Sequence, residues 1–157
     1  MATVIKTEES LEEVISSAVG RFRKRFPEVQ VQVCIPESFI MVPMDATLIE
    51  QVINNLLENA YFHSGSHGPI DLQASVDGPY VSIAIRDQGN GIRPELLGTL
   101  FDGGGVSDNQ TGDSHKGMGI GLTLCKTIIN AHGGHIEASN YDKGALFTFT
   151  LPDWREY

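Results

Sequence analysis

Apolar residues recur at helical spacing in three stretches of this chain and alternate with polar residues in several shorter ones. The first helical stretch places Leu11, Val14, Ile15, Ala18, Val19 and Phe22 on one face. Ser10-Leu-Glu-Glu13 ahead of it reads as a capping box, with Ser10 as cap and Glu13 reaching back. The helix is predicted to end near Arg25, because Pro27 disfavours helical backbone at Phe26. Val29, Val31, Val33 and Ile35 then alternate as a half-buried strand, and Phe39 to Val42 reads as another short one. Asp45 caps a second helix running to about His63, with Ile49, Val52, Ile53, Leu56, Leu57 and Ala60 as its apolar stripe. Residues 70 to 86 alternate on both sides of Asp77-Gly-Pro79 and read as a hairpin. A third helix is predicted from about Gly119 to Ala131, ended by Gly133-Gly134. Strands at about 135 to 139 and 145 to 151 follow, joined by a turn at Tyr141 to Gly144.

Paired strands mixed with helices predict an α+β two-layer sandwich, a mixed, mostly antiparallel sheet covered on one face by three helices. Residues 103 to 121 hold seven of the 17 glycines, and Val106 is the one large apolar residue between Gly103 and Lys116. Such a segment buries too little surface to order itself, so a mobile loop is expected there.

Length and composition narrow the class. The 157 residues suit one compact domain, and 41% hydrophobic with 20% charged content is that of a globular protein. No run approaches the ~18 apolar residues of a membrane helix, and Met1 to Glu9 lack a signal-peptide pattern. The net charge of −9 disfavours non-specific contact with nucleic acid or anionic lipid. It leaves open a phosphate ligand bound by backbone amides. Cys34 and Cys125 lie far apart, and both are expected to be reduced and at least partly buried, in a cytoplasmic setting.

Four segments carry candidate chemistry. In Asn55-Leu-Leu-Glu-Asn59, the two asparagines share a helix face with His63 one turn on. An amide oxygen is a hard neutral ligand suited to Mg²⁺ whose charge is met by phosphates; taken alone, the segment reads equally as helix surface. Asp87-Gln-Gly-Asn-Gly-Ile92 follows a strand. A carboxylate there, facing a purine, would favour the 6-amino group of adenine over the 6-oxo group of guanine, and Gly89 and Gly91 would admit a planar ligand closely; taken alone, the segment is a tight turn. Gly117-Met-Gly-Ile-Gly-Leu122 is predicted to open a helix, its amides converging on phosphate. His115 and Lys116 stand just before it. The phosphate loop ending in Gly-Lys-Ser/Thr is absent, and the glycine spacing and context are not those of the dinucleotide fingerprint. The last segment, Gly144 to Pro152, reads as a turn feeding a core strand.

Together these segments resemble the nucleotide-binding domain shared by histidine kinases, DNA gyrase, the Hsp90 chaperone and MutL, from about residue 10 to 152. Asn55 to Ser64 resembles the N box, Asp87 to Ile92 the G1 box, Phe101-Asp102 a shortened F box and Gly117 to Leu122 the G2 box. Ala131-His-Gly-Gly-His-Ile136 and the closing Phe-Thr-Phe-Thr-Leu-Pro152 are similar to the histidine kinase ending, and Val42-Pro-Met-Asp45 with Glu58-Asn-Ala60 to the potassium-responsive KdpD type.

The resemblance implies the Bergerat fold and, over residues 1–157, the ATP-binding catalytic domain of a sensor histidine kinase. Asn55, Glu58 and Asn59 would be its catalytic residues, with Asn59 holding Mg²⁺ and Asn55 near the phosphates. His63, Asp87, Gly89, Gly91, Ile92, Phe101, Lys116, Gly117, Met118, Gly119, Gly121 and Leu122 would complete the ATP site, under a lid at about 102–116 that is disordered without nucleotide. It further implies a two-component partnership: a separate dimerisation domain bearing the acceptor histidine, a response regulator downstream, and a membrane-attached parent. The histidines present, His63, His67, His115, His132 and His135, are followed by Ser, Gly, Lys, Gly and Ile, unlike the acceptor motif. The acceptor domain is therefore expected to be absent from this chain, and the fragment monomeric. Two departures stand out. Phe62 occupies a position where the family often has Lys or Arg, with His63, His115 or Lys116 as candidate substitutes. Gly103-Gly-Gly105 replaces the second aromatic residue of the F box and its basic follower. The alternatives are a serine kinase of the anti-sigma-factor type and a non-catalytic regulatory domain of the same fold.

Overall fold

The computed structural model describes residues 4–63, 68–102, 113–141 and 144–157, with only the backbone described for His63 and 113–120. The elements run β1 (Thr7–Ser10), α1 (Leu11–Arg25), β2 (Val31–Cys34), β3 (Ile40–Met44), α2 (Ala46–His63), β4 (Ile70–Asp77) and β5 (Tyr80–Arg86). They continue with α3 (Pro94–Leu97), α4 (Asp113–Ala131), β6 (Ile136–Tyr141), β7 (Gly144–Pro152) and β8 (Arg155–Glu156).

The predicted sandwich is present. A five-stranded sheet in the order β2-β4-β5-β7-β6 is antiparallel except for the parallel β2/β4 pair. Its inner face presents Leu72, Val81, Ile83, Ile85, Phe147, Phe149 and Leu151 to the helices, all essentially buried. α1 offers the six residues its periodicity predicts, and Ile49, Val52, Ile53, Leu56 and Leu57 fill the middle from α2. Full burial of such a side chain stabilises by about 1.5–3 kcal/mol, so these facing rows dominate the fold. Ser10 caps α1 by accepting from the Glu13 amide at 3.3 Å. Acidic Glu12 and Glu13 in the first turn and basic Arg23, Lys24 and Arg25 in the last complement the helix dipole.

Several expectations are revised. The strand after Phe39 does not join the main sheet; β3 pairs with β1 and β8 in a separate three-stranded antiparallel sheet. The polar Thr7–Ser10 and the two-residue β8 carry no apolar alternation, so neither was legible as a strand. The four-residue α3 is likewise an addition. Cys34 is exposed rather than partly buried, because β2 is an edge strand and turns Cys34 away from the helices; Cys125 is buried as expected, and both are free.

The third helix begins at Asp113, nearly two turns before the predicted start at Gly119. Glycine costs about 1 kcal/mol per helical position, which argued for a later start. Asp113 places an acidic residue in the first turn, where it complements the helix dipole. Residues 113–116 of the expected lid therefore belong to α4, and the rest of the mobile loop predicted at about 103–116, residues 103–112, lies outside the described residues. At the far end, Gly133 with φ +82° and the Gly134 amide bonded to Ile129 O at 3.0 Å terminate the helix as predicted.

Candidate functional site

Four polar side chains are buried among the described residues: Ser10, Asn59, Asp87 and His132. Three have their partners. Ser10 caps α1. His132 accepts the Asp45 amide on Nε2 at 3.0 Å, so Nδ1 carries the proton that bonds Ile128 O at 2.8 Å. This ring joins the end of α4 to the start of α2. Asp87 Oδ1 accepts from Gly89 N at 2.9 Å and from Ala145 N at 3.1 Å. Asn59 differs: its Oδ1 is buried without a hydrogen-bond partner among the described residues. An unmet buried acceptor costs about 1–3 kcal/mol, so its retention calls for a reason.

The G1 segment is built from β5 and supported by β7 and β6. Asp87 continues the ladder by donating its amide to Ala145 O at 3.1 Å. Gly144 lies so close that a Cβ there would stand 1.8 Å from Asp87 O, which only glycine permits. Gly91 has φ +80°. Beyond it, Ile92 N donates to Asn140 Oδ1 at 2.6 Å, and Asn140 Nδ2 donates to Ile92 O at 2.8 Å. Sequence reading noticed neither Asn140 nor the contact role of Gly144, because both act across strands that are far apart in the chain.

The N-box helix faces α4 through Asn55. A Cβ at Gly121 would lie 3.7 Å from the Asn55 amide, an ordinary contact. One turn on, burial pushes the Cys125 thiol up to about 12, opposed by its hydrogen bond with Asn55. The structure thus brings Asn55 and Gly121 together. Glu58, one residue before Asn59 and roughly 100° around the helix, points to α1 and is ion-paired with Arg25. Phe62 is 54% exposed and packs its ring on Phe26 and Tyr61, at 5.6 and 4.9 Å between centroids. The position that sequence reading singled out for lacking a cation thus caps an aromatic cluster between α1 and α2.

The remaining candidates divide. Ile92 and Phe101 pack against the core, Phe101 edge-on to Phe147 at 6.2 Å. Asp102 pairs with Lys126 of α4 at 3.5 Å. Leu122 is 1% exposed, so its side chain serves the core and only its backbone is free to border a ligand. Lys116, Gly117, Met118 and Gly119 lie in α4 by their backbone, and the side chains of Lys116, Met118 and His63 are outside the described residues. By the i→i−4 pattern, the free amides in the described part of this helix belong to residues 113–115 rather than to Gly119 and Gly121. This differs from the expected opening of the helix at the G2 box. Among the described residues no cluster of three or more His, Cys, Asp or Glu could hold a metal alone. Nor, among the described residues, is any helix long and apolar enough to cross a membrane.

The chain that carries these segments is similar to known proteins. Residues 44–155 match the family described as histidine kinase-, DNA gyrase B- and HSP90-like ATPase, and the chain belongs to that family. It is 43% identical over 148 residues to the sensor protein KdpD of Clostridium acetobutylicum, covering 94% of this chain and 16% of that protein. To KdpD of Escherichia coli it is 33% identical over 144 residues, covering 91% of this chain and 16% of the relative. Histidine kinase ThkA, solved in complex with the response regulator TrrA, superposes with TM-score 0.77 at 27% identity, covering 96% of this chain and 42% of that one. The chain therefore spans about one sixth of the length of the KdpD sensors, at 16% of each.

Proposed function

We propose that this chain is the ATP-binding catalytic domain of a sensor histidine kinase of the KdpD type. It binds Mg-ATP and presents the γ-phosphoryl group to a histidine on a separate dimerisation domain, for onward transfer to a response regulator. One observation carries the reading: among the described residues, Asn59 Oδ1 is the one fully buried side-chain polar atom without a hydrogen-bond partner. A neutral amide oxygen fits Mg²⁺, which takes oxygen ligands and obtains its negative charge from bound phosphates. When bound, the metal neutralises charge that develops on the transferred phosphoryl group.

The protein's own contribution is positioning. Asp87 is oriented by Gly89 and Ala145 through Oδ1, so Oδ2 is the oxygen to accept the adenine amino hydrogen. Gly89, Gly91 and Ile92 shape the base pocket, with Phe101 at its border. Asn55 and the Gly117–Gly121 stretch, with Lys116 and His63, border the phosphates. Glu58 holds α2 to α1 through Arg25. The likeness to ThkA, which is solved with a response regulator, supports the same class of downstream partner.

Calorimetric titration with Mg-ATP and Mg-ADP tests the reading: binding is expected for the wild type and strong weakening for Asp87→Asn. Absence of binding up to millimolar nucleotide would sink it. The Phe62 cluster supports a second reading, a nucleotide-binding regulatory domain without transfer activity, because an aromatic ring packed on Phe26 and Tyr61 occupies the position where related domains often have Lys or Arg. Phosphohistidine formed when the chain is mixed with its acceptor domain and labelled ATP would eliminate that alternative.

A further inference from the structure

We infer that Asn140 is a positioning residue for adenine recognition, stapling the far end of the G1 loop to the sheet. The inference rests on the ATP-binding reading and adds to it a residue outside the four boxes. A primary amide side chain carries an acceptor and a donor side by side, as a peptide group does. Asn140 uses both on one residue, taking the Ile92 amide at 2.6 Å and giving to the Ile92 carbonyl at 2.8 Å. It therefore stands in for a neighbouring strand where the sheet has ended.

The register makes the arrangement closed. Asn140 is the cross-strand partner of Ala145. Ala145 in turn accepts the Asp87 amide on its carbonyl and donates its own amide to the Asp87 carboxylate. Both ends of the loop, Asp87 and Ile92, are thus anchored on a single cross-strand pair. Gly91 is matched to the staple: a Cβ there would fall 2.7 Å from Asn140 Oδ1, and its φ of +80° already favours glycine. Without Asn140 the loop would keep only the Asp87 end, and the carboxylate and the glycine floor of the pocket would lose their fixed separation.

The test uses the 157-residue chain as wild type, Asn140→Ala and Asn140→Asp. Asp keeps the acceptor for the Ile92 amide and loses the donor. Mg-ATP and Mg-GTP are titrated into each by calorimetry, and amide exchange at Ile92 is followed without nucleotide. Two lost hydrogen bonds predict about a 10-fold weaker ATP affinity for Asn140→Ala. GTP affinity should change little, so discrimination between the bases collapses, with Asn140→Asp intermediate. Protection at Ile92 should fall in Asn140→Ala and persist in part in Asn140→Asp, while core amides such as Ile83 stay protected. A purely structural role would leave the ATP/GTP ratio untouched, and that outcome overturns the inference. Unchanged Ile92 exchange in Asn140→Ala overturns it as well. Loss of Ile92 protection in a chain whose wild type binds no ATP refutes the ATP-binding reading, and adenine positioning with it, while the staple itself stands.

Discussion

Around Asp87 the protein supplies its own partners, whereas around Asn59 it leaves an oxygen waiting. The carboxylate is held by two amides, its loop is closed by Asn140, and a glycine makes room for it. Asn59 is equally buried, yet its Oδ1 has no partner among the described residues. A base-reading pocket gains from rigidity, because the ligand then meets acceptors already aimed. A metal and phosphate site is completed by what binds there, so its unmet group is an acceptor kept for a ligand.

The contrast can be broken most forcefully at Gly144. Gly144→Ala puts a methyl 1.8 Å from Asp87 O. Strand β7 must shift, with a predicted loss of about 3 kcal/mol in stability and of most nucleotide affinity. Thermal unfolding and calorimetry check both; a variant as stable as wild type would contradict the close approach.

Asp87→Asn should act on function rather than fold. The amide oxygen still accepts from Gly89 and Ala145, but an NH₂ replaces the second oxygen and meets the adenine amino group donor to donor. ATP affinity is expected to fall roughly 10- to 100-fold, with an unfolding midpoint within a few degrees of wild type.

Asn59→Leu sharpens the comparison by its sign. Removing an unpartnered buried acceptor should leave the ligand-free protein as stable or about 1 kcal/mol more stable. The Mg²⁺-dependent part of nucleotide binding should disappear, as measured by titration with and without chelator. Marked destabilisation of the ligand-free form would mean that the oxygen is structural.

The smallest effect concerns the cysteines. The folded-state value of Cys125 is raised to about 12 from an unfolded value near 9. Its burial therefore contributes stability fully present below pH ~9 and lost progressively as pH rises toward 12. Unfolding measured across that window should fall less steeply in Cys125→Ala than in wild type. At neutral pH an alkylating reagent should label exposed Cys34 and spare Cys125 in the native state.

Much of the fold was readable because it depends on local periodicity. The apolar face of α1, the span of α2 and the hairpin at Gly78 follow from spacing, capping and turn chemistry within a few residues of each other. Of the site, Asn59 and Asp87 stood out because polar groups on an apolar helix and at a strand end break the local pattern. β1 and β8 were not readable, since their strand character comes from pairing with β3 and not from their own residues. The exposure of Cys34 depends on which neighbours its strand meets.

By itself, then, the amino-acid order determined the helices, the hairpin, the exposed-versus-buried rows and the identity of the two side chains that break them. Only the tertiary structure decided that Asn59 Oδ1 lacks a partner among the described residues, that Glu58 pairs with α1, and that Asn140 and Gly144 hold the loop of Asp87. The reason is range: periodicity and capping act between residues a few positions apart, whereas Asn140 meets Ile92 across 48 positions and Ala145 meets Asp87 across 58, through a register that only the assembled sheet defines.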